Sequence, residues 1–191
     1  MDNFLNKSDS ELINLTLKNS DFFSHIIDRY KDRLFAYIIR LSNISKEDAE
    51  DLLQEIFLKI YLNLNEYNDN LKFSSWIYRI AHNQVISRYR KTKSRPEGYL
   101  NEIDETLINK LTSNDDLLKE IDLKIDKKNI FKILYLLDYK YREVLILKYL
   151  EEKSYQEISD IIKKPSGTVA SMINKAKEKF REVAKEKKIN L

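Results

Sequence analysis

The chain has 191 residues, of which 34 are basic and 31 acidic for a formal net charge of +3, and 42% of it is apolar. That is enough apolar material for one ordinary domain or two small ones, and too little net charge to identify a partner from the global field. Cysteine is absent, which excludes a disulfide framework and thiolate chemistry, and with only two glycines and two prolines an all-α chain with few sharp turns is expected.

The N-terminal MDNFLNKSDSELINL is polar and acidic where a secretory signal needs a basic start and an apolar run, and no stretch approaches transmembrane length. The expectation is a soluble cytoplasmic protein without membrane insertion. Ser8 to Glu11 has the serine-x-x-glutamate form of a capping box, with Leu12, Ile13, Leu15 and Leu17 behind it, so a short helix opens the chain. A second helix is predicted from about Asp21 to Leu41, because Phe22, Phe23, Ile26, Ile27, Tyr30, Leu34, Tyr37, Ile38 and Leu41 recur at three and four. The third begins at Ser45 or Lys46. Its apolar side carries Leu52, Leu53, Ile56, Phe57, Ile60, Tyr61 and Leu64, and its polar side presents Asp51, Gln54, Glu55 and Lys59 to solvent or a partner.

Residues 65–72 hold the turn formers of a loop, after which Ser74 or Ser75 is expected to cap a fourth helix that fades near Lys93. This stretch, FSSWIYRIAHNQVISRYRKTKSR, passes from an aromatic and aliphatic helix into five basic residues between Arg88 and Arg95 with no acidic one among them. Ile77, Tyr78, Ile80 and Val85 are core by spacing, whereas Trp76, Arg79, Asn83 and the basic tail need not be. Cations beside exposed aromatics suit a polyanion with unstacked bases. The bland alternative is an amphipathic core helix with a solvated charged end.

Pro96 and Gly98 then interrupt the pattern, and between Glu97 and Asp126 nine acidic residues face three lysines, as in a linker. The predicted organisation is therefore a helical domain at 1–95, an acidic linker at 96–126 and a second helical domain at 127–191. Helical periodicity restarts over Lys127 to Leu137 and Tyr141 to Leu150. A second capping box at Ser154 to Glu157 opens SYQEISDIIKK, a turn follows at Lys164 and Pro165, and SGTVASMINKAKEKFREVAK forms a long helix. From Lys163 to Lys188 nine basic residues stand against three glutamates. With Ile158, Ile161 and Ile162 facing Val169, Ile173 and Ala176, the pair reads as a helix-turn-helix, although any helical hairpin shares part of that pattern. Its outward positions are Ser166, Thr168, Ala170, Ser171, Asn174, Lys175 and Lys177, near base edges at the N-terminal end and near phosphates beyond it.

Nothing points to catalysis. Glu50, Asp51, Gln54 and Glu55 share helical turns, but His25 and His82 are the only histidines and neither lies at metal-ligand spacing. No glycine-rich phosphate loop and no recognisable serine, histidine and aspartate set occurs. No catalytic residue, metal or cofactor is assigned.

Taken together, three blocks resemble the extracytoplasmic-function sigma factors of the sigma-70 family: DAEDLLQEIFLKIYLNL (Asp48 to Leu64), FSSWIYRIAHNQVISRYRKTKS (Phe73 to Ser94) and YREVLILKYLEEKSYQEISDIIKKPSGTVASMINKAKEKFRE (Tyr141 to Glu182). The resemblance implies a region 2-like four-helix bundle and a region 4-like helix-turn-helix domain. It implies a promoter-specificity subunit that performs no catalysis itself, with core RNA polymerase (clamp helices and flap), promoter DNA and an anti-sigma factor as partners. Asp51, Gln54, Glu55 and Lys59 would dock on polymerase. Tyr67, Phe73, Trp76 and Asn83 would open the minus-ten element and capture a flipped base, with Arg79, Arg88, Arg90 and Lys91 holding backbone. The helix-turn-helix would read the minus-thirty-five element. There the chain departs from the family, carrying Ala170 and Met172 where members often have basic residues, so its preferred sequence is not inherited. The alternative is a helix-turn-helix regulator that binds duplex operator without polymerase; a metal-dependent hydrolase built on Glu50, Asp51 and Glu55 is a more distant one.

Overall fold

The computed structural model describes residues 6–42, 44–93 and 127–189, with backbone alone at 91–93 and 127–128. The expected acidic linker, the end of the basic tail and the side chain of Lys91 lie outside the described residues. The chain divides into two compact units, one comprising Met1–Ile39 and Ile44–Glu97 and the other Arg40–Asn43 and Gly98–Leu191. Every element among the described residues is helical.

The first unit is built from α1 (Asp9–Lys18), α2 (Phe23–Ser42, whose last turn belongs to the second unit), α3 (Lys46–Leu62) and α4 (Phe73–Lys93). The Ser8 capping box forms as expected: Ser8 N donates to Glu11 Oε2 at 2.7 Å and Glu11 N returns a bond to the Ser8 hydroxyl. Each such cap satisfies donors that the first turn cannot pair internally and contributes about 1 kcal/mol. Asn19 then caps a single 3-10 turn, Ser20–Phe22, by accepting from Asp21 N at 3.0 Å. Ser45 opens α3 in the same way, accepting from Asp48 N at 3.1 Å. The core is formed by Leu12, Ile26, Leu34, Tyr37 and Ile38 against Leu52, Ile56, Ile60, Ile77, Tyr78 and Val85, each at most 2% exposed. At roughly 1.5–3 kcal/mol for each fully buried large side chain, this contact holds the bundle.

α4 starts earlier than the sequence indicates. Trp76 N donates to Lys72 O at 3.0 Å, so the helix is already running at Phe73, and Ser75 is fully buried inside it instead of capping it. The anchoring of Phe73 in the core overrides the local preference of a serine for a cap.

The second unit contains α5 (Lys127–Leu136), α6 (Tyr139–Leu145), α7 (Tyr155–Ile162) and α8 (Ser166–Glu186), with α8 packed on α5, α6 and α7. Where one helix to Leu150 is expected, α6 widens into a π-turn, Ile146–Leu150, closed by Glu151 N donating to Ile146 O at 2.9 Å. The chain then passes through Glu152 in the left-handed region (φ 52°) to the Ser154 capping box. α7 ends at Lys163, also left-handed, and the hydroxyl of Ser159 donates to Lys164 O at 2.6 Å, closing a turn that delivers Pro165 to the start of α8. Ile158, Ile161, Val169, Ile173 and Ala176 are all fully buried, which confirms the predicted seam between α7 and α8; Ile162 is only half-buried.

Candidate nucleic-acid interface

Two surfaces, one on each unit, carry the candidate residues. On the first, a 3-10 turn at Leu64–Glu66 leads into a loop folded on itself: Asn68 Oδ1 accepts from Asn70 N at 2.9 Å, and the Tyr67 hydroxyl donates to Leu71 O at 2.6 Å. That closure lays the Tyr67 ring against the start of α4, 5.1 Å from Phe73 and 5.5 Å from Trp76, edge-on to both. Phe73 and Trp76 stack at 5.7 Å with their planes 19° apart. Such pairs are worth about 0.5–1.5 kcal/mol each beyond area burial, so the corner is held in one arrangement. Phe73 is 4% exposed and backs the corner, while Tyr67 and Trp76 are partly open. Burial, and after it the negative charges of Asp69 and Asp9, hold the Tyr67 hydroxyl above its ordinary pKa.

Trp76, Asn83 and Arg90 are spaced seven residues apart along α4. Two turns separate each from the next, which places them on one face at intervals of roughly 10 Å. Asn83 and Arg90 are exposed and Arg79, one turn from Trp76, is half-buried. Arg88 is oriented differently: its guanidinium pairs with the Asp48 carboxylate at the start of α3. It therefore ties the two helices together as well as adding charge.

On α3, Asp51, Gln54, Glu55 and Lys59 are exposed as expected, and Lys59 Nζ donates to Gln84 Oε1 on α4 at 2.7 Å. Sequence reasoning missed the continuation of this face. Leu58 and Leu62 are 58% and 62% exposed, in helical phase with Asp51 and Glu55 rather than with buried Leu52, Ile56 and Ile60. Tyr61, assigned to the apolar side, is 41% exposed while its ring rests 5.1 Å from that of Phe23. The phase of Leu58 and Leu62 was the signal available.

On the second unit, Thr168, Ser171, Asn174 and Lys175 stand exposed along α8. Ala170 is half-buried, as is Lys177, whose Nζ lies 5.4 Å from the centre of the Tyr149 ring. Ser166 is turned toward α7, its hydroxyl donating to Gln156 Oε1 at 3.1 Å, and Gln156 Nε2 donates to Asp160 at 3.1 Å. Gln156 thus belongs to this surface although its type gave no sign of it. A Cβ at Gly167 would meet nothing within 4 Å, so no protein contact requires glycine there.

Among the described residues no group of three or more His, Asp or Glu side chains is placed to hold a metal ion, and no helix is long and apolar enough to cross a membrane. The combination defines a class: an all-α DNA-binding protein with one domain bearing an aromatic, amide and basic stripe and another bearing a helix-turn-helix. The family model for Sigma-70 region 2 matches residues 26–95, and that for Sigma-70, region 4 matches residues 129–180. The ECF RNA polymerase sigma factor SigW of Bacillus subtilis (strain 168) is 37% identical over 171 residues, 85% of this chain and 89% of the relative. The ECF RNA polymerase sigma-E factor of Haemophilus influenzae is 26% identical over 166 residues, 82% of this chain and 84% of the relative. In fold, the chain is similar to CnrH, solved in complex with the cytosolic domain of CnrY (TM-score 0.68, 18% identity, 94% of this chain and 99% of that one). It is also similar to the sigma factor RpoE of Bartonella quintana, solved with the anti-sigma factor NepR (TM-score 0.64, 21% identity, 85% and 96%). The chain belongs to the ECF family of RNA polymerase sigma factors and is a promoter-specificity subunit.

Proposed function

We propose that the first unit opens the minus-ten promoter element by capturing an unstacked base at the corner formed by Tyr67 and Trp76, with Asn83 supplying the hydrogen bonds that recognise it. The observation that carries this reading is the stripe on α4, where a half-open aromatic corner, an exposed amide and an exposed guanidinium (Arg90) follow one another on a single face. A base leaving the duplex loses stacking and pairing; an aromatic face replaces the first, and an amide, donor and acceptor together, replaces the second. Arg79, Arg88, Arg90 and Lys91 neutralise the neighbouring phosphates.

The exposed α3 face, Asp51, Gln54, Glu55 and Lys59 continued by Leu58 and Leu62, docks on the clamp helices of core polymerase, an acidic rim beside an apolar centre. α8 enters the major groove of the minus-thirty-five element, with Thr168, Ser171 and Asn174 near base edges and Lys175 on phosphate. Ser166 acts through Gln156, and Ala170 and Lys177 flank the contact. The protein performs no chemistry itself, because initiation belongs to the polymerase. An anti-sigma factor, the kind of partner seen with the Bartonella quintana RpoE, is the inhibitory partner. A regulator that binds operator duplex alone would leave both the aromatic corner and the α3 face without a task.

Asn83→Ala tests the base-capture assignment. With core polymerase and a promoter-bearing fragment, permanganate reactivity of minus-ten thymines is expected to fall about tenfold while affinity for core polymerase stays unchanged, the loss appropriate to one or two hydrogen bonds. Equal loss of opening and core affinity would remove the assignment.

A further inference from the structure

The aromatic corner is supported from α1, an element to which no role has been given. Asp9, the first residue of α1, accepts from Arg29 Nη1 at 2.8 Å and from the Tyr30 hydroxyl at 2.7 Å. Arg29 also donates through Nη2 to Lys7 O at 2.6 Å, so the entry to α1 is fastened to α2 at that point. Tyr30 is 5% exposed, and its ring meets Phe73 edge to face at 5.9 Å. Phe73 in turn carries Trp76 and Tyr67. An unbroken line of contact therefore runs from a carboxylate in the first helix to the two half-open rings of the corner. α1 also packs on the 64–66 turn from which Tyr67 departs, and the charge of Asp9 reaches the Tyr67 hydroxyl. Burial and this hydrogen bond keep the Tyr30 hydroxyl protonated far above its ordinary range.

We infer that Asp9 is the positioning residue of the aromatic corner: by fixing Tyr30 from below it sets the plane on which Phe73, Trp76 and Tyr67 rest. A charge-assisted bond from a buried hydroxyl is short and directional. When it is lost, the Tyr30 ring loses the bond that fixes its hydroxyl end, and any shift of the ring passes to Phe73 because a packed core transmits displacement instead of absorbing it. The consequence for base capture rests on the function proposed above; the consequence for the corner does not.

Trp76 is the only tryptophan in the chain, so fluorescence excited at the red edge of tryptophan absorption, where the twelve tyrosines contribute little, reports this corner. The test uses the full chain in four forms: wild type, Asp9→Asn, Tyr30→Phe and the double variant. Acrylamide quenching of the free protein is expected to rise about twofold in Asp9→Asn, with far-UV circular dichroism unchanged. A pool of randomised single-stranded DNA dodecamers is expected to quench wild-type Trp76, with the half-quenching concentration raised about fivefold in Asp9→Asn. Tyr30→Phe removes only the hydroxyl and is expected to reproduce both effects. The double variant is expected to be no worse than Asp9→Asn, which already removes the Tyr30 bond, while Tyr30→Phe leaves the Arg29 pair in place. If Asp9→Asn loses helical signal, Tyr30→Phe decides alone. Unchanged acrylamide quenching in both single variants overturns the positioning role, and additive effects in the double variant do the same. A wild-type protein whose Trp76 ignores the dodecamers would overturn base capture and leave the acrylamide comparison to judge Asp9.

Discussion

Replacing Leu58 and Leu62 together by alanine separates a docking surface from a structural one. Full burial of a leucine side chain is worth about 1.5–3 kcal/mol. With 58% and 62% of their surface open, neither leucine has realised most of that in the folded chain. At the lower coefficient the open fractions sum to about 2 kcal/mol still to be gained when a partner covers them, roughly thirtyfold in Kd. The affinity of dye-labelled protein for core polymerase, measured by anisotropy, is therefore expected to weaken about thirtyfold in the double variant. The midpoint of thermal unfolding should move by no more than about 5 °C, since by the same coefficient the already buried fractions sum to about 1 kcal/mol. Unchanged core affinity would refute the extension of the α3 face to the leucines. A large fall in unfolding temperature would show instead that they support the fold.

On the second unit, Lys175→Ala is expected to weaken duplex binding uniformly across sequences and reduce the slope of log K against log salt by about 1, as one phosphate contact does. An unchanged slope would place Lys175 away from DNA. Ile173→Ala should destabilise this unit by about 2–5 kcal/mol in chemical denaturation, because the residue is fully buried between α7 and α8. A cost below about 1 kcal/mol would contradict the seam described here.

What could be read in the sequence was what is specified locally. The capping boxes at Ser8 and Ser154 lie where a serine hydroxyl accepts from the backbone N–H three residues on, and both form. The α7–α8 seam followed from spacing alone. The faces of α3 and α4 were legible as faces, but their limits were not. Leu58 and Leu62 look like core residues by type and are surface residues by phase, whereas Ser75 looks like a cap by type and is drawn into the bundle by Phe73. The remaining omissions are long-range. Asp9 meets Tyr30 across 21 positions, Arg88 meets Asp48 across 40, and Ser166 meets Gln156 across 10, and none of these pairings leaves a periodic trace in the chain. They arise only once the helices have packed.

As a promoter-specificity subunit, this chain directs core RNA polymerase to promoters. Run-off transcription measures it most directly, with core polymerase, with and without the protein, on a library of fragments from its own genome. Discrete transcripts whose starts share a common pair of upstream elements, appearing only when the protein is present, are the predicted result. Initiation at no discrete site, or an identical pattern from core polymerase alone, would contradict the account.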